Sequence, residues 1–405
     1  MSIIVQKYGG SSVATGDKLR HVAGKIVGTR RQGHDVVAVV SAMGNTTSEL
    51  LDLASQLSNE PGPRELDMLL SSGERISMSL LSMAIENLGE PAISLTGPQS
   101  GIKTTADHYD ARIEAVQPDR INAEFGQGRV VVVAGFQGET PDGEIATLGR
   151  GGSDTTAVAL AAALDAERCE IYSDVDGIYS ADPRIVDGAT RLQTIGYEEM
   201  QELARHGAKV LNPRAVTYAA KRGVTIHARS TFSDAGGTII HGERDTDSDP
   251  EVVGVACHRE LLRIRLNGDV IDSNLGDELI DSIGRASLFR DNVIGNGRAS
   301  GARELLISSA ALADPSAFVQ RLKDEFDRHV DVHDDLGSVS AVGYGVGEAH
   351  AGRHVRRAIA DGVNVHDSFE SPHAVTCLIE TPHVQRALCG MHRYFVENDL
   401  DLAAA

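Results

Sequence analysis

Five consecutive apolar residues, Val130-Val131-Val132-Val133-Ala134, limit the fold more than any other stretch of the chain. A strand without polar alternation has no face to offer water, and such strands belong to parallel sheets covered by helices on both faces. Asp35-Val36-Val37-Ala38-Val39-Val40 reads the same way, and Ile3-Ile4-Val5 and Cys169-Glu170-Ile171-Tyr172 supply further strands. Between them Leu19, Val22, Ala23, Ile26 and Val27 recur at helical spacing and predict a helix with one buried stripe. Strands and helices alternate in this manner through roughly the first 240 residues. The pattern predicts an α/β fold, an α/β/α sandwich with a mostly parallel central sheet. A helical pattern from Arg64 to Leu88 is expected to break near Gly73-Glu74-Arg75, and Ser153 or Asp154 is expected to cap a helix over Thr155–Ala166. Helices near Glu198–His206 and Ala215–Arg222 precede a strand at Thr225–Ala228.

The run His241 to Glu251 is polar and charged and contains Pro250, so a solvated linker is expected there. Beyond it the pattern shortens. Val252–Cys257, Leu262–Leu266 and Glu304–Ser308 read as strands and Asp314–Arg328 as a helix. A second unit follows, with strands at Ser338–Gly345, Gly362–His366 and Ala374–Ile379 and helices at His354–Ala360 and His383–Glu397. The expected domains are therefore 1–245, 250–330 and 331–400, the last two a weak α+β repeat.

Composition narrows the partners. The net charge is -20 over 405 residues, which argues against nucleic acid or an anionic membrane surface. No stretch approaches the ~18 apolar residues of a membrane span, and the N-terminus shows no signal-peptide pattern. The four cysteines have neither metal-ligand nor disulfide-framework spacing, and the histidines form no ligand set. The expectation is a cytoplasmic protein with no protein-held metal.

Two glycine-rich turns carry the chemistry. Lys7-Tyr8-Gly9-Gly10-Ser11-Ser12 leaves the first strand, and Gly149-Arg150-Gly151-Gly152-Ser153-Asp154 opens a helix far along the chain. Glycine lets bare amides approach an anion, a helix N-terminus favours negative charge, and an ammonium completes a phosphate cradle. Phosphoryl transfer needs charge stabilisation and alignment more than covalent help. Alone, Lys7 reads equally well as a strand-end lysine with its stem on apolar surface, and the second turn as an irregular loop. Neither matches the phosphate-loop or dinucleotide fingerprints. Arg150 offers a fork suited to carboxylate or phosphate, and Asp154 makes sense near phosphates only if it organises lysines or a metal. Asp182-Pro183 reads as a plain turn, and Glu74-Arg75 as a surface ion pair in the plainer reading.

Taken together, the segments resemble the aspartate kinases of the amino-acid kinase family. They are Val5 to Val13, Val39-Val40-Ser41-Ala42-Met43-Gly44-Asn45-Thr46-Thr47, Ser72-Gly73-Glu74-Arg75, Ala134 to Gly138, Thr147 to Ala157, Tyr172 to Tyr179 and Asp182-Pro183-Arg184. The resemblance implies transfer of the γ-phosphoryl of MgATP to the side-chain carboxylate of L-aspartate, the first step of aspartate-derived amino-acid biosynthesis. It implies Lys7 as the cation on the transferring group and Asp154 as organiser of the charged site. Ser41, Thr47, Glu74, Arg150 and Ser153 fall to the amino-acid substrate, with Arg150 facing a carboxylate and Glu74 the ammonium. Lys7, Gly9, Gly10, Ser173, Asp174, Tyr179, Arg184 and Lys209 fall to the nucleotide. Two C-terminal ACT-like units, and a homo-oligomer joined through them, are implied as well. The runs Leu266 to Asp277 and Asp367 to Pro372 depart from the family's effector-contacting pattern, so weak or absent inhibition by lysine and threonine is expected. The rivals are a kinase for a related amino-acid carboxylate and a catalytically silent regulatory subunit or amino-acid sensor.

Overall fold

The computed structural model describes residues 2–58, 61–149, 151–208, 210–242, 251–266, 279, 293–297, 304–309, 312, 314–326, 329–344, 346–347, 352–359 and 362–397. They form two compact units. The first comprises Met1–Ile178, Leu192–Tyr197 and Val210–Glu243, and the second Tyr179–Arg191, Glu198–Lys209 and Arg244–Ala405.

The first unit is built on strands β1 (Ile3–Tyr8), β2 (Asp35–Val40), β3 (Ala92–Leu95), β4 (Ile102–Thr104), β5 (Ile113–Val116), β6 (Val130–Ala134), β7 (Gln137–Glu139), β8 (Ile145–Thr147), β9 (Arg168–Ser173), β10 (Thr194–Gly196), β11 (Ile226–Ser230) and β12 (Thr238–His241). Eight of these make one sheet in the order β10-β12-β11-β9-β1-β2-β6-β3, parallel except between β11 and β12. The mostly parallel sheet follows from strands apolar at every position: all five residues of β6 are buried. A small sheet, β5-β4-β7-β8, stands beside it.

Its helices are α1 (Gly16–Arg31), α2 (Thr46–Ser55), α3 (Pro63–Glu86), α4 (Asp119–Phe125), α5 (Gly152–Ala163), α6 (Tyr197–Arg205, continuing into the second unit) and α7 (Pro213–Arg222). Leu19, Val22, Ala23, Ile26 and Val27 of α1 bury the expected stripe, and Met78, Leu81 and Ile85 of α3 join the same core over Val36, Ala38, Val130 and Val132. Helix α5 carries buried residues on nearly all sides, as a helix in a covered interior must.

Two expectations fail here for local reasons. Helix α3 runs unbroken through Gly73-Glu74-Arg75. Gly73 does not interrupt it; an added Cβ would stand 2.8 Å from the Ala42 Cβ, so glycine admits a close helix-to-loop approach. Helix α5 starts at Gly152 and is preceded by Gly151 at φ 69 without a side-chain cap, so Ser153 and Asp154 lie within its first turn.

The second unit is built on one antiparallel sheet. Strands β13 (Glu251–Leu266), β14 (Val293–Gly297), β15 (Glu304–Ser308), β16 (Val330–Tyr344), β17 (Val365–Ser371) and β18 (Ala374–Glu380) take the order β14-β15-β13-β16-β18-β17. The strands expected at Val252–Cys257 and Leu262–Leu266 are a single strand, because register shifts near His258 and Leu261 absorb the irregular stretch without ending the pairing to β16. Helices α8 (Pro315–Phe326), α9 (Gly352–Ala358) and α10 (Val384–His392) cover it, α10 passing into a π-helical turn at Arg393–Glu397. Val339, Ala341, Val375, Cys377, Ala387, Leu388 and Met391 form its principal core.

Candidate active site

Three loops leave the carboxyl ends of neighbouring parallel strands, where open α/β sheets place their ligands. Strand pairing sets Lys7 between Val39 of β2 and Ile171 of β9. Side chains alternate along a strand, so Tyr8 enters the core under α1 while Lys7 points to the opposite face. There the Lys7 Nζ lies 2.6 Å from Asp154 Oδ1, in the first turn of α5, with side-chain exposures of only 12% and 9%. Among the described residues this carboxylate oxygen has no aligned hydrogen-bond donor, so the contact with Lys7 is an ion pair. A carboxylate in a first helical turn is also favoured by the helix dipole. Two residues almost 150 positions apart thus meet with opposite charge.

Gly9 and Gly10 shape the floor. A Cβ at Gly9 would sit 3.6 Å from Lys7 Nζ, and one at Gly10 would sit 2.8 Å from the Ala42 carbonyl oxygen. The Gly44 amide donates to the Gly10 carbonyl at 3.0 Å, and the Ser41 amide to Tyr8 O at 3.1 Å, which ties the first glycine turn to the loop after β2.

Helix α3 grips that loop from the other side. The Ala42 amide donates to Glu74 Oε1 at 2.9 Å, and the Ser77 hydroxyl to the Ser41 carbonyl at 2.8 Å. Glu74 is 3% exposed, and its second oxygen has no partner among the described residues. Burial pushes its carboxyl up to about 7, against the pull of the Ala42 amide. Glu74 is thus no surface ion pair. In its ionised form, a carboxyl so placed can receive a cation.

Thr47 lies in the first turn of α2, half-buried. Ser153 is buried under the end of β6, where a Cβ at Gly135 would come 2.7 Å from its hydroxyl. Gly152 permits equally close packing against Leu148 and Phe136, and Phe136 holds φ 70 while its amide donates to Thr156 Oγ1. Ser173 ends β9 with its carbonyl accepting from the Thr231 amide, and Asp174 beyond it is exposed. Tyr179 and Arg184 belong to the second unit, where Tyr179 bridges to Arg191. The Arg184 fork closes on Asp182 at 2.8 and 2.9 Å and holds that carboxyl below the usual range. Arg150 and Lys209 lie outside the described residues.

The structure therefore assembles Lys7, Gly9, Gly10, Ser41, Glu74 and Asp154 around linked loops. It also shows what motif reading missed. Asp67, Ser71 and Ser77 extend the expected Glu74 into a buried polar stripe along α3. The signal was present as polar residues at spacings of four, three and three on an otherwise apolar helix face. Glu170, one strand from Lys7, anchors a second charged network. Burial alone would raise its carboxyl, but Gln6, Arg168 and Arg229 hold it below the ordinary carboxylate range.

Comparison with known proteins follows this geometry. The family model described as the amino acid kinase family matches residues 2–230. An aspartokinase of Mycobacterium bovis is 43% identical over 406 residues, 98% of this chain and 96% of the relative. An aspartokinase of Mycolicibacterium smegmatis is 44% identical over 98% of this chain and 96% of its own length. The crystal structure of E. coli aspartokinase III in complex with aspartate and ADP superposes with a TM-score of 0.79, covering 97% of this chain and 99% of that one at 22% identity, which speaks to the fold.

Proposed function

The chain belongs to the amino acid kinase family and, within it, to the aspartokinases, and from that premise we propose a role for each residue of its site. The protein transfers the γ-phosphoryl group of ATP to the side-chain carboxylate of L-aspartate, giving 4-phospho-L-aspartate and ADP. This is the entry to lysine, threonine and methionine synthesis. The new bond joins a carboxylate oxygen to the γ-phosphorus as the bond from phosphorus to the β–γ bridging oxygen breaks. The acceptor is already ionised, so no general base is required. The obstacle is electrostatic, since an anion must approach a polyanion.

The single observation that carries the assignment is the 2.6 Å pair of Lys7 with Asp154. Lys7 supplies the cation that screens the transferring group. Asp154 holds the ammonium at the end of the strand and keeps it from collapsing onto the nucleotide alone. Glu74, with a desolvated free oxygen, receives the substrate ammonium, which draws the carboxyl into its ionised form. Ser41, Thr47 and Ser153 complete the amino-acid side, and Arg150 pairs with a substrate carboxylate as a fork. Gly9, Gly10, Ser173 and Asp174 serve the nucleotide. Tyr179, Arg184 and Lys209 are assigned to the nucleotide by resemblance alone.

Mg2+ is proposed to arrive with the nucleotide, where it would neutralise phosphate charge. Such an ion is held mainly by phosphates and water with one or two protein carboxylates. Asp174, exposed at the end of β9, can supply one, and the described residues hold no ready cluster of three or more ligands.

We further propose residues 1–245 as the catalytic domain in sequence, with ACT-like units at 250–330 and 331–400. Homo-oligomerisation through the second unit is supported by β17, an edge strand of its sheet. No described helix is long and apolar enough to cross a membrane; a cytoplasmic location is part of the same proposal.

Hydroxylamine trapping with MgATP tests the reading. Aspartyl hydroxamate should form with aspartate and far less with glutamate or other amino-acid carboxylates. Hydroxamate from another acid alone would move the assignment to that acceptor, and amino-acid binding with no hydroxamate would leave a sensor.

A further inference from the structure

Asp67 is a fully buried carboxylate that the reaction just described does not use. It lies on α3 seven residues before Glu74 and on the same buried face, about 10 Å along the helix axis. Three groups donate to it. His108 Nδ1 reaches Oδ2 at 2.7 Å, the Tyr109 amide reaches both oxygens at 3.0 and 3.1 Å, and the Thr147 hydroxyl reaches Oδ1. Tyr109 holds φ 72, a left-handed conformation that a non-glycine residue keeps only where its surroundings impose it. The Asp67 carboxylate is what its amide turns to meet.

These donors frame the second glycine turn. Thr147 ends β8 and is followed at once by Leu148-Gly149. The loop from Thr105 to Arg112 lies against the same strand: the Ala111 amide donates to the Thr147 carbonyl at 2.9 Å, and Ala111 packs with Ala146 and Leu148. Its next link is Asp110, paired in a fork with Arg214 at 2.6 and 3.1 Å. Arg214 follows Asn212, the N-cap of α7, and Asn212 packs so closely on Gly151 that a Cβ there would stand 2.2 Å from its Nδ2. The turn that presents Asp154 is thus held at its entry by Thr147 and at its exit by Asn212, and both holds run back to α3 through Asp67.

We propose that Asp67 is a positioning residue for aspartate phosphorylation: its carboxylate fixes the turn leading to Asp154 in register with the helix that carries Glu74. The inference rests on the functional reading above. Its logic is geometric, because misplacement of a binding group by about 1 Å can cost 10²-fold in rate. The aspartate side of the site depends on this register. The first glycine turn is held by β1, β2 and β9 instead, so the nucleotide side does not.

Asp67→Asn and Thr147→Val test it. The amide keeps the shape but turns one acceptor into a donor facing His108, Tyr109 or Thr147. The valine removes one hydroxyl and leaves the other two donors. In the hydroxylamine assay, Asp67→Asn should lower kcat/KM for aspartate by about 10²-fold while the KM for ATP moves by about twofold or less. Thr147→Val should do the same by about tenfold, one lost hydrogen bond to a charged group. Rates are referred to the folded fraction measured by denaturant unfolding. A kcat/KM for aspartate within about twofold of the parent in both variants, or a KM for ATP that rises by the same factor as the KM for aspartate, overturns the proposal. Where Asp67→Asn does not fold, Thr147→Val decides alone. An unsubstituted protein that makes no aspartyl hydroxamate would sink the functional reading and this inference together; a turning-over parent with indifferent variants sinks this inference only.

Discussion

The two units bury polar groups in different arrangements. The first buries charge: Lys7 against Asp154, Glu170 among Arg168, Arg229 and Gln6, and the carboxylates of Asp67 and Glu74 along α3. The second buries hydroxyls and imidazole beside charge of its own, where Arg263 pairs with Asp367 at 2.9 Å and His206 with Glu202 at 3.1 Å. Ser180 Oγ meets His392 Nε2 at 2.9 Å, His392 Nδ1 meets Glu397 Oε1 at 3.1 Å, and Ser340 pairs with Thr376. The Ser180–His392–Glu397 chain has the order of a hydrolytic triad, but the serine and histidine are fully buried and no substrate reaches them. Desolvating a charge is expensive, and removing a buried ion pair in favour of apolar residues is often neutral or stabilising. A neutral network costs far less to bury and specifies packing. In the first unit buried charge gathers at loops that meet beside Lys7, whereas in the second it stands among hydroxyl pairs that specify packing.

The largest effect that could break this contrast is at Lys7. Lys7→Ala should lower turnover by about 10³-fold or more, as loss of a principal charge-stabilising group does. The paired replacement Lys7→Met with Asp154→Leu should be equally inactive yet unfold at the same or higher denaturant concentration. Full activity in Lys7→Ala, or a steep loss of stability in the pair, would mean that the ion pair is structural.

Gly73→Ala comes next. Its Cβ would press on Ala42, and overpacking of this kind costs about 1–3 kcal/mol. The strain falls on the loop that carries Ser41, so the KM for aspartate should rise with the fall in unfolding midpoint. A variant as stable as the parent would show that α3 does not set that loop. In the second unit, His392→Leu strands Glu397 and part of Ser180 and should cost about 1–3 kcal/mol with aspartate turnover per folded molecule retained. Lost turnover at unchanged stability would erase the distinction between the two regions.

The pH profile is the most diagnostic test. Glu74 titrates at about 7 when folded and at its ordinary 4.5 when unfolded. The folded state therefore holds the proton more tightly, and the stability this contributes is present below pH 4.5 and lost as pH rises through about 7. The ligand-free protein should become less stable across that window. Saturating aspartate should offset the loss, because its ammonium favours the carboxylate, and Glu74→Gln should flatten this part of the profile. A parent profile that already matches Glu74→Gln would show that Glu74 is ionised without ligand.

Much of the first unit was legible from the chain. Unbroken apolar runs announced a parallel sheet, and the α1 stripe appeared where its spacing put it. Motif resemblance brought Lys7, Gly9, Gly10, Ser41, Glu74 and Asp154 to one site. The break expected at Gly73 was misread because glycine weakens an isolated helix by propensity, whereas here it serves an approach to Ala42 that no local signal contains. The long β13 was cut in two for a related reason: a bulge is tolerated only because β16 supplies a partner along the whole strand. Asp67 went unseen because its donors come from residues about 40 and 80 positions away.

By itself the sequence determined the period of burial, the glycine turns and the inventory of charges, since each of these depends on neighbours a few residues apart. The tertiary structure alone decided which charges face one another. Ion pairing and desolvation depend on distance in space, and only folding places residue 7 within 2.6 Å of residue 154 and leaves one oxygen of residue 74 dry and without a partner among the described residues.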